Sequence, residues 1–215
     1  MATGPGIDRS IYLASRSPRR RELLGHIGVK FHLLLFRNRP GAALDVDEEP
    51  VAGEDPRAYV MRVARAKAAA GWKRMLERNL PRAPVLAADT TVALGKRIYG
   101  KPASRADAEA MLAELSGKRH EVLTAVVVQY EDQVESALSA SEVQFRALTP
   151  EEIRDYVATG ESDDKAGAYA IQGRAAQFVA DLRGSFSGVM GLPLYETAQL
   201  LERMGAQRER RTSRA

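Results

Sequence analysis

The chain has 215 residues, a formal net charge of +4, 28% charged and 45% apolar residues, the profile of an ordinary globular protein. That balance excludes a disordered chain, and no apolar run reaches the roughly 20 residues that span a bilayer. With no cysteine, disulfides, thiolate zinc sites and a cysteine nucleophile are excluded, and a cytoplasmic protein is expected.

In chain order, Ile11 to Ala14 reads as a short buried strand. A helix opens at Ser17 and Pro18, a good N-cap followed by a residue suited to the first helical position, and stops near Gly25 or Gly28. Phe31 to Phe36 reads as a second strand, followed by an acidic loop from Asp45 to Pro50. From Pro56 to about Asn79 the three-and-four spacing of Val60, Val63, Ala64, Ala68, Trp72 and Met75 predicts a long helix with one buried face, and Lys67 falls on that face. Val85 to Leu94 is a near-continuous apolar strand broken by one carboxylate, Asp89.

After Gly100-Lys101-Pro102, Ser104 and Asp107 cap a further helix. Val122 to Tyr130 and Val134 to Phe145 read as two long strands joined near Glu131-Asp132. Thr149-Pro-Glu-Glu152 is a capping box for a helix ending at Gly160. A polar loop, a strand around Gln177 to Leu182, a glycine-punctuated loop from Gly184 to Gly191 and a helix from Pro193 to Met204 follow. The order predicts a mixed α/β fold on one long twisted sheet flanked by helices, folded as two lobes around a cleft. Residues 10–205 are expected to form one domain, between a flexible N-terminus (1–9) and a basic flexible tail (206–215) with four arginines against one glutamate. No basic face with interleaved aromatics stands out, so neither nucleic acid nor a membrane is expected as a partner.

Asp89 is the most informative position, because a charge inside an apolar strand is costly unless paired, hydrogen-bonded or metal-bound. It is either a structural aspartate at a turn or a carboxylate facing a cleft, able to hold a cation or take a proton from water. Arg19 and Arg20 stand at a helix N-terminus, where free N–H groups and the helix dipole favour an anion and arginine adds planar donors for phosphate. Lys67, Lys101 and the acidic-loop residue Glu48 are ordinary singly; together, separated carboxylates and several cations are what a metal–triphosphate site requires. Gly95-Lys96-Arg97 lacks P-loop spacing, no dinucleotide fingerprint or nucleophile elbow occurs, and His26, His32 and His120 show no metal-ligand spacing. From the residues alone, the chain reads as an anion-handling α/β enzyme, metal-assisted.

Several stretches together resemble the Maf family of nucleotide pyrophosphatases: Leu13 to Leu24, Ala87 to Thr90, Gly100 to Pro102, Leu115 to Lys118 with His120, Tyr156 to Glu161, Asp164 to Gly173, and Gly191 to Leu194. The resemblance implies a Maf/ITPase-like fold and hydrolysis of a nucleoside triphosphate between its α and β phosphates. It makes Asp89 the catalytic proton acceptor and gives Glu48 and Asp89 to a divalent cation, Mg²⁺ or Mn²⁺. Ser15, Arg20, Lys67 and Lys101 would face the phosphates. Arg19, Thr90 and Gln172 match the positions that separate the family's branches, and this combination looks like the branch acting on dTTP and UTP. The resemblance also implies a homodimer. Arg16, Ala170 and the stretch Phe186 to Gly188 depart from the family's usual residues. Two alternatives stay open: a house-cleaning pyrophosphatase for modified nucleotides, and a nucleotide-binding regulator of cell division.

Overall fold

A computed structural model describes residues 10–35 and 46–212, with side chains described through Gly205. The elements are β1 (Ile11–Leu13), α1 (Pro18–His26), β2 (Phe31–Leu33), α2 (Pro56–Glu77), β3 (Val85–Leu94), β4 (Arg97–Tyr99) and α3 (Arg105–Leu115). They continue as β5 (Arg119–Tyr130), β6 (Gln133–Phe145), α4 (Pro150–Ala158), β7 (Val179–Arg183), α5 (Phe186–Met190) and α6 (Leu194–Thr212). One sheet runs β2-β1-β3-β5-β6-β7, with β4 added to β3. β1 is parallel to β2 and β3, and the other pairings are antiparallel. The mixed α/β architecture on one long sheet is therefore as the sequence predicts.

Local chemistry accounts for the helix ends. The Ser17 hydroxyl accepts from the Arg20 N–H, Asp55 caps α2 by accepting from Arg57 and Ala58, and the Thr149–Glu152 box is reciprocal. Alternation along β3 sorts its side chains onto two faces. Val85, Ala87 and Ala93 pack with Val60, Val63, Ala64 and Ala68 of α2. Leu86 and Ala88 pack on the other face with Leu23 and Leu24 of α1 and Leu200 and Met204 of α6. Further along that second face Val92 enters a third core with Leu112, Leu115, Phe145 and Tyr156. The register row Thr90, Thr124 and Ser139 crosses the sheet between those two cores.

Several boundaries differ from the sequence expectation: β5 begins at Arg119 rather than Val122 and β7 spans Val179–Arg183 rather than Gln177 to Leu182. β2 spans only Phe31–Leu33, with Phe36 outside the described residues. The glycine-punctuated stretch holds a short helix, α5, capped by Ser185 and closed by Gly191 in the left-handed region at φ 117°. Its glycines read as loop, yet Gly188 serves close packing, since a Cβ there would lie 3.0 Å from Ser139 Oγ. α6 continues past Met204 to Thr212, so the arginine-rich stretch begins as helical backbone.

Two features place the site. β1 pairs with β3 only at Val85 and Leu86, and β4 only from Val92 to Leu94. Between them, residues 87–91 have β5 as their strand neighbour, and the opposite edge opens where the chain leaves β1 for α1 and leaves β4 for Gly100. The second is the close seating of α2. At buried Gly71 a Cβ would meet Val85 Cγ1 at 2.8 Å and Ala14 Cβ at 3.0 Å. Gly71→Val is expected to cost about 1–3 kcal/mol by overpacking, read as a lower melting temperature at about 2–4 °C per kcal/mol. An unchanged melting temperature would mean that α2 does not sit this close to the sheet.

Candidate active site

The edge of β3 opens onto a cavity of about 750 Å³ lined from α1, α2, β3, the Glu48 loop, the Gly100 turn and residues 164–172. Asp89 points to the α2 face, and its side chain is only 10% exposed. A carboxylate that secluded needs a partner, and Lys67 Nζ supplies it at 2.7 Å from Oδ1. The same ammonium lies 3.0 Å from Glu48 Oε2, so it bridges the two carboxylates. Lys67 reaches this point because Tyr59, Val63 and Lys67 repeat at every fourth residue and share a face of α2.

The Glu48 loop is fixed from α2. The Tyr59 hydroxyl donates to the Glu48 carbonyl at 2.9 Å, and Arg62 donates to the Asp47 and Glu49 carbonyls at 3.4 and 3.0 Å. Burial, then the charges of Asp89 and Glu48, push the Tyr59 hydroxyl up to about 12, so it stays protonated as a donor. Arg62 is itself held by both oxygens of Glu54, at 2.7 and 2.8 Å. These hydrogen bonds hold the Glu54 carboxyl down at about 2.

On the other side of β3 stands Arg20, in the first turn of α1. Its Nε donates to the Gly191 carbonyl at 2.7 Å, Nη1 to Ser15 Oγ at 3.3 Å and Nη2 to Thr90 Oγ1 at 3.2 Å. Three bonds fix the plane of the guanidinium, and each Nη keeps one further N–H for an anion. Burial lowers the Arg20 pKa, while Asp89 and Glu48 act to raise it. Gly191 suits this contact through its φ of +117°, a backbone conformation that side-chain-bearing residues rarely adopt.

The remaining wall comes from Arg19 of α1, Lys101 of the Gly100 turn, and Lys165 and Gln172 of the 164–172 segment. Burial lowers the Arg19 pKa. Burial, then the neighbouring charges of Arg19 and Lys101, bring Lys165 down to about 8, although it also pairs with the Asp164 carboxylate. The segment carrying Gln172 is braced from behind. The Ala170 N–H donates to the Tyr156 hydroxyl at 3.1 Å, and the Tyr169 hydroxyl lies 2.9 Å from His120 Nε2. Burial pushes His120 down to about 4, so its ring is neutral at physiological pH and serves as a brace.

All nine residues singled out from the sequence line this one cavity: Ser15, Arg19, Arg20, Glu48, Lys67, Asp89, Thr90, Lys101 and Gln172. Contacts join Asp89, Lys67 and Glu48 into one group and Arg20, Ser15 and Thr90 into another. Arg19 stands beside Arg20 on α1, and Lys101 and Gln172 approach from segments of their own. Sequence reasoning missed Tyr59, Arg62 and Lys165. Tyr59 lies eight residues before Lys67 on the same face of α2, a spacing that could have found it, and Lys165 lies inside the Asp164–Gly173 stretch, where spacing alone assigns it no chemistry. Among the described residues no group of three or more His, Asp or Glu side chains could hold a metal ion. Glu48 and Asp89 offer two hard carboxylates, a donor set that suits a cation completing its shell with water and phosphate oxygens. Among the described residues no helix is long and apolar enough to cross a membrane.

Fold and cavity define a class: a mixed α/β protein whose cavity gathers converging cations beside a secluded carboxylate. The model of the family described as Maf-like protein matches residues 10–204. The dTTP/UTP pyrophosphatase of Dechloromonas aromatica is 57% identical over 195 residues, covering 91% of this chain and 97% of that one. That of Aromatoleum aromaticum is 57% identical over 200 residues, covering 93% and 97%. The solved structure of the Staphylococcus aureus Ham1 protein aligns over 63% of this chain and 71% of its own, at 15% identity and a TM-score of 0.39, too distant to bear on the site. The chain belongs to the Maf family.

Lys165 gives this cavity a pH signature. Its pKa is lowered, so its charge burdens the folded state, and that burden lifts as pH rises from about 8 towards the ordinary lysine range. Anion binding runs the opposite way, because Lys165 loses its charge as pH rises through about 8. Affinity for inorganic triphosphate, measured by calorimetry from pH 7 to 9.5, is expected to fall more steeply in the wild type than in Lys165→Met. Parallel profiles in the two proteins would remove Lys165 from the anion site.

Proposed function

We propose that this chain hydrolyses dTTP and UTP between the α and β phosphates, releasing the monophosphate and pyrophosphate. The observation that carries the proposal is Asp89, 10% exposed and 2.7 Å from Lys67, at the floor of a cavity walled by cations from separate elements. The names of the relatives, dTTP/UTP pyrophosphatases 51–57% identical over most of the chain, support the same substrates.

In this reading Asp89 orients and deprotonates the attacking water, and Lys67 fixes the direction of its carboxylate. Arg20, Lys67, Lys101, Ser15 and the N-terminus of α1 neutralise the triphosphate. Arg20 offers its two remaining N–H groups without reorganising, because its other donors are already engaged. Glu48 and Asp89 would hold a divalent cation, Mg²⁺ or Mn²⁺, which when bound offsets the charge of the phosphate oxygens. The base is read by Thr90, Gln172 and Arg19. The Gln172 amide has both a donor and an acceptor for the N3–H and carbonyl edge of uracil or thymine. The family resemblance supports a homodimer, and a cysteine-free globular chain suits the cytoplasm.

Asp89→Asn should keep the fold and lose turnover by about 10²–10⁴, the usual contribution of a positioned base. The assay is pyrophosphate release from dTTP, UTP, CTP, GTP and 7-methyl-GTP, with Mg²⁺ or Mn²⁺ and with chelator, alongside a melting curve for the variant. Release favouring dTTP and UTP, abolished by chelator and by Asp89→Asn, is the expected result. Wild-type turnover in Asp89→Asn would unseat the base, and preference for another nucleotide would unseat the specificity.

A further inference from the structure

Gln172 stands in a turn of four residues, Ala170 to Gly173, closed by the Gly173 N–H on the Ala170 carbonyl at 2.9 Å. Ile171 is buried in the core that also holds Tyr156 and Phe178, and Gln172 follows it, exposed at the cavity wall. Both ends of the turn are held from α4. At its start the Ala170 N–H donates to the Tyr156 hydroxyl at 3.1 Å. At its end the Arg174 N–H donates to Oε2 of Glu161, just past α4, at 2.9 Å. The two holders are themselves tied. The Thr159 hydroxyl donates to the Tyr156 carbonyl at 2.6 Å and accepts from the Glu161 N–H at 3.2 Å.

Glu161 also seats closely against the turn. A Cβ at residue 173 would overlap Glu161 Oε2 and lie 2.9 Å from its Cδ. The Gly173 φ of −104° is open to any residue, so glycine is needed here for space. Glu161 does not line the cavity. It reaches the cavity through this turn, and through its charge, which acts on Lys165.

We propose that Glu161 is a positioning residue that fixes the reach of the Gln172 amide by holding the Arg174 N–H and seating against Gly173. The proposal rests on the reading of Gln172 as the base reader of a dTTP/UTP site. A reader set back from the base loses its bonds to uracil and its conflict with cytosine together, so discrimination falls while the phosphate contacts stay.

The test measures kcat and KM for UTP and CTP, and calorimetric binding of inorganic triphosphate, in the wild type, Glu161→Ala, Glu161→Gln and Gly173→Ala. Alanine removes both the acceptor and the charge, whereas glutamine removes the charge and keeps an acceptor. In Glu161→Ala the preference for UTP over CTP is expected to fall about tenfold, the worth of one hydrogen bond. The change should lie in KM more than in kcat, and glutamine should restore the preference. Gly173→Ala, which drives the carboxylate off its seat, should match Glu161→Ala. Inorganic triphosphate has no base and should bind Glu161→Ala and Glu161→Gln alike. Equal loss of preference in Glu161→Ala and Glu161→Gln would make the effect one of charge and overturn the proposal. So would a proportional weakening of UTP and CTP, the mark of a purely structural role. A preference retained in Glu161→Ala rejects the proposal and leaves the dTTP/UTP reading standing, whereas a wild type without preference removes both. If Glu161→Ala does not fold, Glu161→Asp, one methylene shorter, replaces it, and an unchanged preference there rejects the idea.

Discussion

A carboxylate set into the middle of an apolar strand needs a counter-charge, and the Lys67–Asp89 pair is the interaction on which this architecture turns. Asp89 and Lys67 are 10% and 14% exposed at the side chain, so their 2.7 Å contact is little screened by water, unlike the surface pairs that dominate the rest of the chain. The pair sets how α2 must lie. Ala64 and Ala68, fully buried on either side of Lys67, let the helix approach the sheet, and Gly71 lets it pass Val85 and Ala14. The Glu48 loop joins the same ammonium at 3.0 Å, held there by Tyr59 and Arg62 of the same helix. One helix thus presents the lysine and clamps the second carboxylate.

The other constraint is the interrupted edge of β3. Were β1 or β4 longer, a strand would cover residues 87–91. Instead β1 turns into α1, whose N-terminus and arginines face the opening, and β4 turns into Gly100-Lys101. Asp89 and Thr90, adjacent in sequence and on opposite faces of the strand, both reach the cavity because it wraps that open edge. The residue proposed as catalytic base and the one proposed to read the nucleobase are thereby neighbours with different partners: Lys67 and Glu48 for Asp89, Arg20 and Thr124 for Thr90.

Much of the scaffold was legible in the sequence. β3 matches the apolar run from Val85 to Leu94, the α2 stripe reads directly as its buried face, and the caps at Ser17, Ser104 and Thr149 start their helices as expected. α5 was not, because its three small turn-forming residues, Ser185, Gly188 and Gly191, signal loop unless the sheet beneath is known. The site divides in the same way. Asp89 announced itself as a charge in an apolar strand. The Arg20 contacts join residues 70 and 171 positions apart, which no local pattern encodes, and family resemblance rather than spacing brought those residues together beforehand. Thr124 gave no signal at all, since a threonine is at home in any strand.

The most direct test of this account is a double-mutant cycle between Lys67→Met and Asp89→Asn, with unfolding free energies from urea titration at pH 7. If the pair is what the fold is arranged around, Lys67→Met leaves an uncompensated carboxylate and is strongly destabilising. Adding Asp89→Asn should then return part of the loss, with a coupling of about 1–3 kcal/mol. Effects that simply add, within about 0.5 kcal/mol, would contradict the account, since Asp89 and Lys67 would then stand side by side without depending on each other.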